Sequence, residues 1–199
     1  SANGLLHVVN DLLDVSKIRA GKMSFEYVRF SLEDLLSTFV SSISYRVEEK
    51  GLKFQLNFDE KLPNYVIGDP VRLNQILLNI VGNAIKFTIE GSITLKVYSI
   101  HQKNGVERIH FEVKDTGIGI PMQKQDFVFE NFTQLEDHRT RTTSGTGLGV
   151  GIAKSLVEAM GGVITLVSRE GQGTTLSIEL DFELHNQHVE TKNVNQEDI

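Results

Sequence analysis

Two asparagines four residues apart, Asn79 and Asn83, are the first residues whose type and spacing suggest chemistry. They fall in a predicted helix, where about 100° per residue puts them on one stripe with Arg72 and Lys86, away from the apolar stripe. Asparagine is a mediocre helix former, so two at this spacing indicate a role, although a solvated face is the alternative. An amide oxygen is a good ligand for Mg²⁺, which prefers few protein oxygens together with phosphate oxygens and water.

The segment DTGIGIP (115–121) is the second candidate. A predicted strand delivers the carboxylate of Asp115 into a loop whose glycines allow a flat ligand to approach the backbone. A buried carboxylate must be hydrogen-bonded, and an exocyclic amine such as that of adenine would satisfy it. The pattern alone is weak, and an ordinary turn is the alternative.

A second glycine-rich segment, SGTGLG (144–149), precedes an apolar helical run. Free N–H groups at a helix N-terminus attract phosphate. The segment is neither a Walker motif, since no Gly-Lys-Ser/Thr follows, nor a dinucleotide fingerprint, since no strand precedes it. A polar stretch (136–145) comes before it, which predicts a mobile lid. Arg139 and Arg141 in that stretch either reach phosphates or remain solvated.

Composition narrows the possible functions. The 199 residues are 40% hydrophobic and carry a net charge of −6, which suits one well-filled domain and argues against non-specific nucleic-acid binding. The chain has no cysteine, so disulfides, zinc–thiolate sites and cysteine nucleophiles are excluded. No apolar run approaches the roughly 20 residues of a membrane helix, so no direct membrane contact is expected.

Hydrophobic periodicity and turn residues predict the elements that position these groups. Helices mixed with mostly antiparallel strands predict a two-layer α/β sandwich rather than a doubly wound parallel sheet. Helices are predicted over residues 5–20, from Ser31 to about Lys50, from Pro70 onward, in a short segment after Pro121 and over about 147–160. Strands are predicted over residues 54–58, 93–97, 109–113, 163–168 and 175–184. A hairpin turn is predicted at Asn104-Gly105.

These segments, in this order, resemble the ATP-binding domain of sensor histidine kinases, within the wider GHKL ATPase superfamily. The resemblance covers about residues 25–184, and several ordered motifs are more specific than any one alone. DPVRLNQILLNIVGNAIKFT (69–88) resembles the N box, DTGIGIP the first glycine box, FVFENFTQ (127–134) the F box, SGTGLGVGIAKSLVEAMGG (144–162) the second glycine box, and GQGTT (171–175) the last glycine–threonine stretch.

The resemblance also implies an organisation. LLDVSKIRAGK (12–22) resembles the end of the second helix of the dimerisation hairpin, so residues 1–22 are expected to be part of that hairpin. Residues 23–184 are expected to be the catalytic domain, a Bergerat-type sandwich with a mixed sheet against about three helices and a lid at about 133–146. Residues 185–199 are polar and are expected to be a tail or a linker, as in hybrid kinases.

Site roles follow from the same resemblance. Asn83 is the expected Mg²⁺ ligand, Asn79 supports metal and phosphate, Lys86 contacts phosphates, and Asp115 binds the adenine amine. Phe129 and Phe132 are expected to anchor the base of the lid in apolar contacts. The other expected ATP-binding residues are Gly117, Gly119, Ile120, Arg141, Gly145, Thr146, Gly147, Leu148, Gly149 and Thr174.

The implied activity is transfer of the γ-phosphate of ATP to a histidine on the first hairpin helix, in a cytoplasmic homodimer that passes phosphate to a receiver domain. The usual His-acid surroundings with a nearby Pro are missing here, and His7 has neither partner, so the acceptor is expected outside these residues and the fragment is not expected to autophosphorylate.

Related hydrolases carry Glu where Asn79 stands, which argues against rapid hydrolysis. A non-catalytic nucleotide-binding module is the main alternative, and a repair- or chaperone-type hydrolase is the second.

Overall fold

Seven strands form one mixed sheet in the computed structural model, which describes residues 9–10, 13–18, 20–129 and 149–184. The strands are β1 (Val28–Ser31), β2 (Lys53–Phe58), β3 (Tyr65–Gly68), β4 (Ser92–Lys103), β5 (Val106–Asp115), β6 (Val163–Arg169) and β7 (Gly173–Glu183). Their order across the sheet is β1-β3-β7-β5-β4-β2, and β6 also pairs with β7. Among the described strands, β2 and β4 form the one parallel pair.

Two of the helices begin at the predicted caps, Ser31 and Asp69. Ser31 Oγ accepts the N–H of Asp34 at 3.1 Å, and Asp69 accepts the N–H of Arg72 at 2.9 Å directly before Pro70. These caps satisfy N–H groups that the first helical turn leaves unpaired. The helices are α1 (residues 9–10 and 13–18), α2 (Leu32–Glu49), α3 (Pro70–Phe87), α4 (Met122–Gln125) and α5 (Gly149–Ala159).

One face of the sheet and the apolar faces of α2, α3 and α5 form a single core. Alternate residues of the central strands, such as Leu95, Phe111 and Ile178, are buried there. The opposite face is polar and carries ion pairs between strands, including Arg108 to Glu179 at 3.0 Å. The predicted two-layer sandwich, with a mostly antiparallel sheet against three helices, is therefore confirmed.

Two local features differ from the sequence prediction or add to it. The strand β3 was not predicted, because its four residues are too few to show alternation, and it is extended because it pairs antiparallel with β1. The predicted hairpin at Asn104-Gly105 is confirmed, with φ of 53° and 76° at its two central residues, as a type I′ turn requires. No helix in the described part of the chain is long and apolar enough to cross a bilayer.

A polar network joins α1 to the first turns of α3. Asp14 is buried and accepts hydrogen bonds from Arg72 Nη1 at 2.9 Å and from Gln75 Nε2 at 3.0 Å. Val15, next to Asp14, is buried in the common core, whereas Val9 and Leu13 are exposed. The side of α1 that carries Asp14 and Val15 therefore packs on the domain, and an apolar part of its other side remains open.

Candidate nucleotide site

The two asparagines of α3 lie against the first residue of α5. A β-carbon built on Gly149 would be 3.6 Å from Asn83 Nδ2 and 3.8 Å from Asn79 Oδ1, so α5 begins directly over both amides. Asn79 Nδ2 is buried and has no hydrogen-bond partner among the described residues. Since buried donors are nearly always paired, we expect the partner of this amide to lie outside the described residues, in a ligand or elsewhere in the chain.

The start of α5 adds a second feature at this point. The first turn of a helix has unpaired N–H groups and the positive end of the helix dipole, both of which favour an anion. Gly149 lies beside the asparagines, and its predicted role in phosphate binding stays a prediction. The remaining residues predicted for this loop, Arg141, Gly145, Thr146, Gly147 and Leu148, lie outside the described residues, as do Phe132 and the predicted lid and tail.

Asp115 is buried at the end of β5, as the sequence predicts. Its Oδ1 accepts the N–H of Gly117 at 2.8 Å and that of Thr174 at 3.2 Å. Burial raises the pKa of Asp115 above its ordinary value, and the two N–H groups offset part of that rise. Within the described residues no hydrogen bond reaches Oδ2, which leaves that oxygen as an acceptor for a ligand donor.

The loop after Asp115 is held between the end of α3 and the β6–β7 turn. Ile118 N donates to Phe87 O at 3.2 Å, and Ile118 O accepts from Gly171 N at 2.7 Å. A β-carbon on Gly117 would lie 2.5 Å from Phe87 O, and one on Gly119 would lie 2.0 Å from Arg169 O. Glycine is therefore required at both positions by close backbone approach, and Gly119 also has φ of +65°.

Two residues of this region were not predicted from the sequence. Ser168 Oγ accepts the N–H of Ile120 at 2.9 Å, and Gln125 Nε2 donates to Ile120 O at 2.9 Å and to Ser168 O at 3.0 Å. Both side chains thus connect the glycine loop to β6. Ser168 is 48 residues from Ile120 and 43 from Gln125 along the chain, and serine or glutamine in isolation carries no signal for such a contact.

The basic side chains on α3, and Lys50 beside its end, each have different contacts. Lys86 Nζ lies 4.9 Å above the ring of Phe87, and burial lowers the pKa of Lys86. Lys50 Nζ donates to Ile85 O at 2.7 Å and to Lys86 O at 2.9 Å, which caps the end of α3 beside the glycine loop. Arg72 shares the asparagine stripe in sequence but pairs with Asp14, so its charge serves the attachment of α1 instead.

Phe129 is partly buried against the core, with Lys154 Nζ 5.2 Å above its ring. The role predicted for Phe129 at the base of the lid stays a prediction, because the lid lies outside the described residues. No cluster of three or more histidine, aspartate or glutamate side chains suited to a metal occurs in residues 9–10, 13–18, 20–129 and 149–184. A cation at the asparagine pair would therefore rely on amide oxygens, water and oxygens of the ligand, the ligand set that suits Mg²⁺ in phosphate sites.

A three-helix layer on a mixed sheet, with an asparagine pair beside the first described residue of α5 and a buried aspartate before a glycine loop, defines a class of α/β sandwich. The sequence profile of the histidine kinase-, DNA gyrase B- and HSP90-like ATPases matches residues 68–184. The chain belongs to this ATPase family, and specifically resembles the domain as it occurs in two-component sensor histidine kinases.

Curated relatives share this assignment. The chain is 41% identical over 185 residues to the signal transduction histidine-protein kinase BarA of Escherichia coli K12, covering 93% of this chain and 20% of that protein. It is 42% identical over 183 residues to the hybrid signal transduction histidine kinase L of Dictyostelium discoideum, covering 92% of this chain and 11% of that protein. The chain thus spans a fifth or less of these two relatives.

Solved structures agree on the fold. Full-length ShkA in complex with AMPPNP superposes with a TM-score of 0.77 at 34% identity, covering 91% of this chain and 36% of that one. The Acinetobacter baumannii histidine kinase AdeS superposes with a TM-score of 0.72 at 20% identity, covering 93% of this chain and 81% of that one. The second comparison supports the fold alone.

Proposed function

We propose that this domain binds Mg-ATP and donates the γ-phosphate to a histidine of a dimerisation domain. The observation that carries the proposal is the buried Asn79 Nδ2, which has no partner in the part of the chain that the structure describes and lies beside Asn83 and the first described residue of α5. The family assignment and the likeness to ShkA, whose structure contains AMPPNP, support it. Transfer of phosphate from ATP also leads us to infer a cytoplasmic location.

In the proposed complex, one group of the described residues holds the phosphates and the metal, and another group holds the base. Asn83 Oδ1 is the proposed Mg²⁺ ligand, and Asn79 Nδ2 donates to a phosphate oxygen or a bound water. Asp115 Oδ2 accepts the adenine amine, and Gly117 and Gly119 leave room for the purine. Bound Mg²⁺ would neutralise charge on the triphosphate, which phosphoryl transfer needs more than covalent help from the protein.

Asn83→Ala should remove the proposed metal ligand and reduce affinity for AMPPNP in the presence of Mg²⁺. A hydrogen bond to a charged group contributes roughly 1.5–3 kcal/mol. Taking the same range for the lost ligand, we expect the affinity to fall by about 10- to 100-fold. Isothermal titration with and without Mg²⁺ measures this, and the loss should be largest with the metal.

Asn74→Ala is the matched control, because Asn74 lies on α3 about 140° around the helix from Asn79. This variant should bind AMPPNP like the unmodified chain. Equal Mg²⁺-dependent affinity of the Asn83→Ala variant and the unmodified chain would contradict the metal assignment.

Hydrolysis of ATP by the isolated chain should be very slow, even with Mg²⁺. A water molecule needs a general base, and the amide of Asn79 cannot accept a proton at neutral pH. Phosphate release measured over hours tests this expectation. Rapid, Mg²⁺-dependent release would favour a hydrolase of the repair or chaperone type over a phosphate donor.

The transfer step itself needs an acceptor. We expect labelled phosphate from ATP to reach the histidine of an added dimerisation hairpin in an acid-labile bond, and to pass from there to an aspartate of a receiver domain. The intact protein is proposed to be a homodimer through that hairpin. Nucleotide binding without any acid-labile phosphohistidine, in an assay where a known kinase domain labels the same hairpin, would favour a non-catalytic regulatory module.

A further inference from the structure

Ser168 is a half-buried serine near the end of β6, and the role assigned to it below rests on the proposed function of the pocket. Ser168 Oγ makes three polar contacts. It accepts the N–H of Ile120 at 2.9 Å, donates to Gly173 O at 3.0 Å, and lies 2.8 Å from Thr174 Oγ1. The contact with Thr174 is a hydroxyl pair in which geometry alone does not identify the donor.

Counting hydrogens identifies it. A serine hydroxyl has one hydrogen and two lone pairs. The carbonyl of Gly173 can only accept, so the hydrogen of Ser168 is used there, and the N–H of Ile120 occupies one lone pair. The remaining lone pair can only accept, so the hydroxyl of Thr174 must donate to Ser168.

The direction of this hydrogen bond determines what Thr174 can offer a ligand. With its hydrogen held by Ser168, the Thr174 hydroxyl has only lone pairs left. Its backbone N–H is also occupied, because it donates to Asp115 Oδ1 at 3.2 Å. Asp115 and Thr174, which this hydrogen bond joins, therefore each present an acceptor, Oδ2 and Oγ1.

We propose that Ser168 is a positioning residue that makes the pocket specific for a 6-amino purine, by fixing the Thr174 hydroxyl as an acceptor. The exocyclic amine of adenine has two hydrogens and satisfies both acceptors. Hypoxanthine has a carbonyl oxygen at the same ring position, and its lone pairs would face the lone pairs of Asp115 and Thr174. A buried pair of this kind is costly, because neither oxygen gains a hydrogen bond.

The test compares ATP with ITP, which carry adenine and hypoxanthine, by isothermal titration on the full chain. The unmodified chain should prefer ATP. In the Ser168→Ala variant, the Thr174 hydroxyl is free to rotate and donate to the ITP carbonyl, so the ATP-to-ITP affinity ratio should fall by about tenfold. Ser168→Cys, which fills the same space with a weaker acceptor, should lower the ratio in the same direction.

A double-mutant cycle shows whether Ser168 acts through Thr174. Thr174→Val should lower the ratio by itself, and adding Ser168→Ala in that background should leave the ratio unchanged. Ser177→Ala, on the neighbouring strand β7, is the control and should bind both nucleotides like the unmodified chain.

Each outcome decides a different point. If Ser168→Ala and Ser168→Cys weaken ATP and ITP equally, Ser168 only holds the glycine loop, and the inference is overturned while the proposed function stands. A fall in the ratio that is the same with and without Thr174→Val also overturns it. If the unmodified chain binds neither nucleotide, both the inference and the proposed function are overturned.

Discussion

Asp115→Asn should reverse the base preference of the pocket, from ATP towards ITP. The asparagine Oδ1 can still accept the N–H groups of Gly117 and Thr174, which places the amide nitrogen where the carboxylate Oδ2 now lies. A donor then faces the adenine amine, and the charged acceptor is lost. We expect roughly 10- to 100-fold weaker ATP binding, together with tighter ITP binding, measured by titration of both nucleotides.

Two controls separate this effect from damage to the fold. Asp126→Asn makes the same charge change at the exposed residue that follows α4 and should leave both affinities unchanged. Without nucleotide, Asp115→Asn should be at least as stable as the unmodified chain at pH 7. The folded-state pKa of Asp115 is raised, so ionisation opposes folding above that pKa, and this cost disappears as pH falls below the ordinary aspartate pKa. Unchanged preference for ATP in a folded Asp115→Asn variant would refute the role of this carboxylate.

Gly119→Ala should destabilise the domain and abolish measurable ATP binding. The new β-carbon would lie 2.0 Å from Arg169 O, at a φ of +65° that alanine rarely adopts. The left-handed backbone costs about 1–2 kcal/mol, and the forced shift of the loop adds about 1–3 kcal/mol. Denaturant unfolding measures the loss of stability, and titration with AMPPNP measures the loss of nucleotide binding.

Gly171→Ala isolates the backbone term, because Gly171 has φ of +75° and nothing within 4 Å of the position of its β-carbon. It should lose only about 1–2 kcal/mol of the free energy of unfolding and keep its affinity for nucleotide. If both variants lose the same stability and both bind AMPPNP, close approach of the glycine loop to Arg169 has no functional importance.

Much of the fold could be predicted because its signals are local. The caps at Ser31 and Asp69, the turn at Asn104-Gly105 and the two periodicities each depend on residues within a few positions of one another. The proximity of Asn79 and Asn83 also follows from helix geometry alone. Family motifs then placed Asp115 and Gly149 in one site, and the structure brings Gly149 beside the asparagines.

The remainder depends on contacts between distant segments. Arg72 shares the asparagine stripe, but only the packing of α1 shows that its partner is Asp14. The role of Ser168 depends on three hydrogen bonds whose partners lie on two other segments, and a lone serine does not indicate such a network. The strand β3 is equally invisible, since its conformation comes from pairing with β1 and β7.

The position of β7 has a consequence for how the domain folds. This strand is the last of the described strands in sequence but lies inside the sheet, between β5 and β3, with Ile67 paired to Glu183. During synthesis, β1 and β3 can pair with each other, but they join the sheet only after β7 has emerged, so one edge of β3 stays unpaired until late, and such non-local pairing is slow. The same strand begins at Gly173 and brings Thr174 to Asp115, so their hydrogen bond forms only when β7 has joined β5. If these two residues hold the base as proposed, nucleotide binding requires the completed sheet.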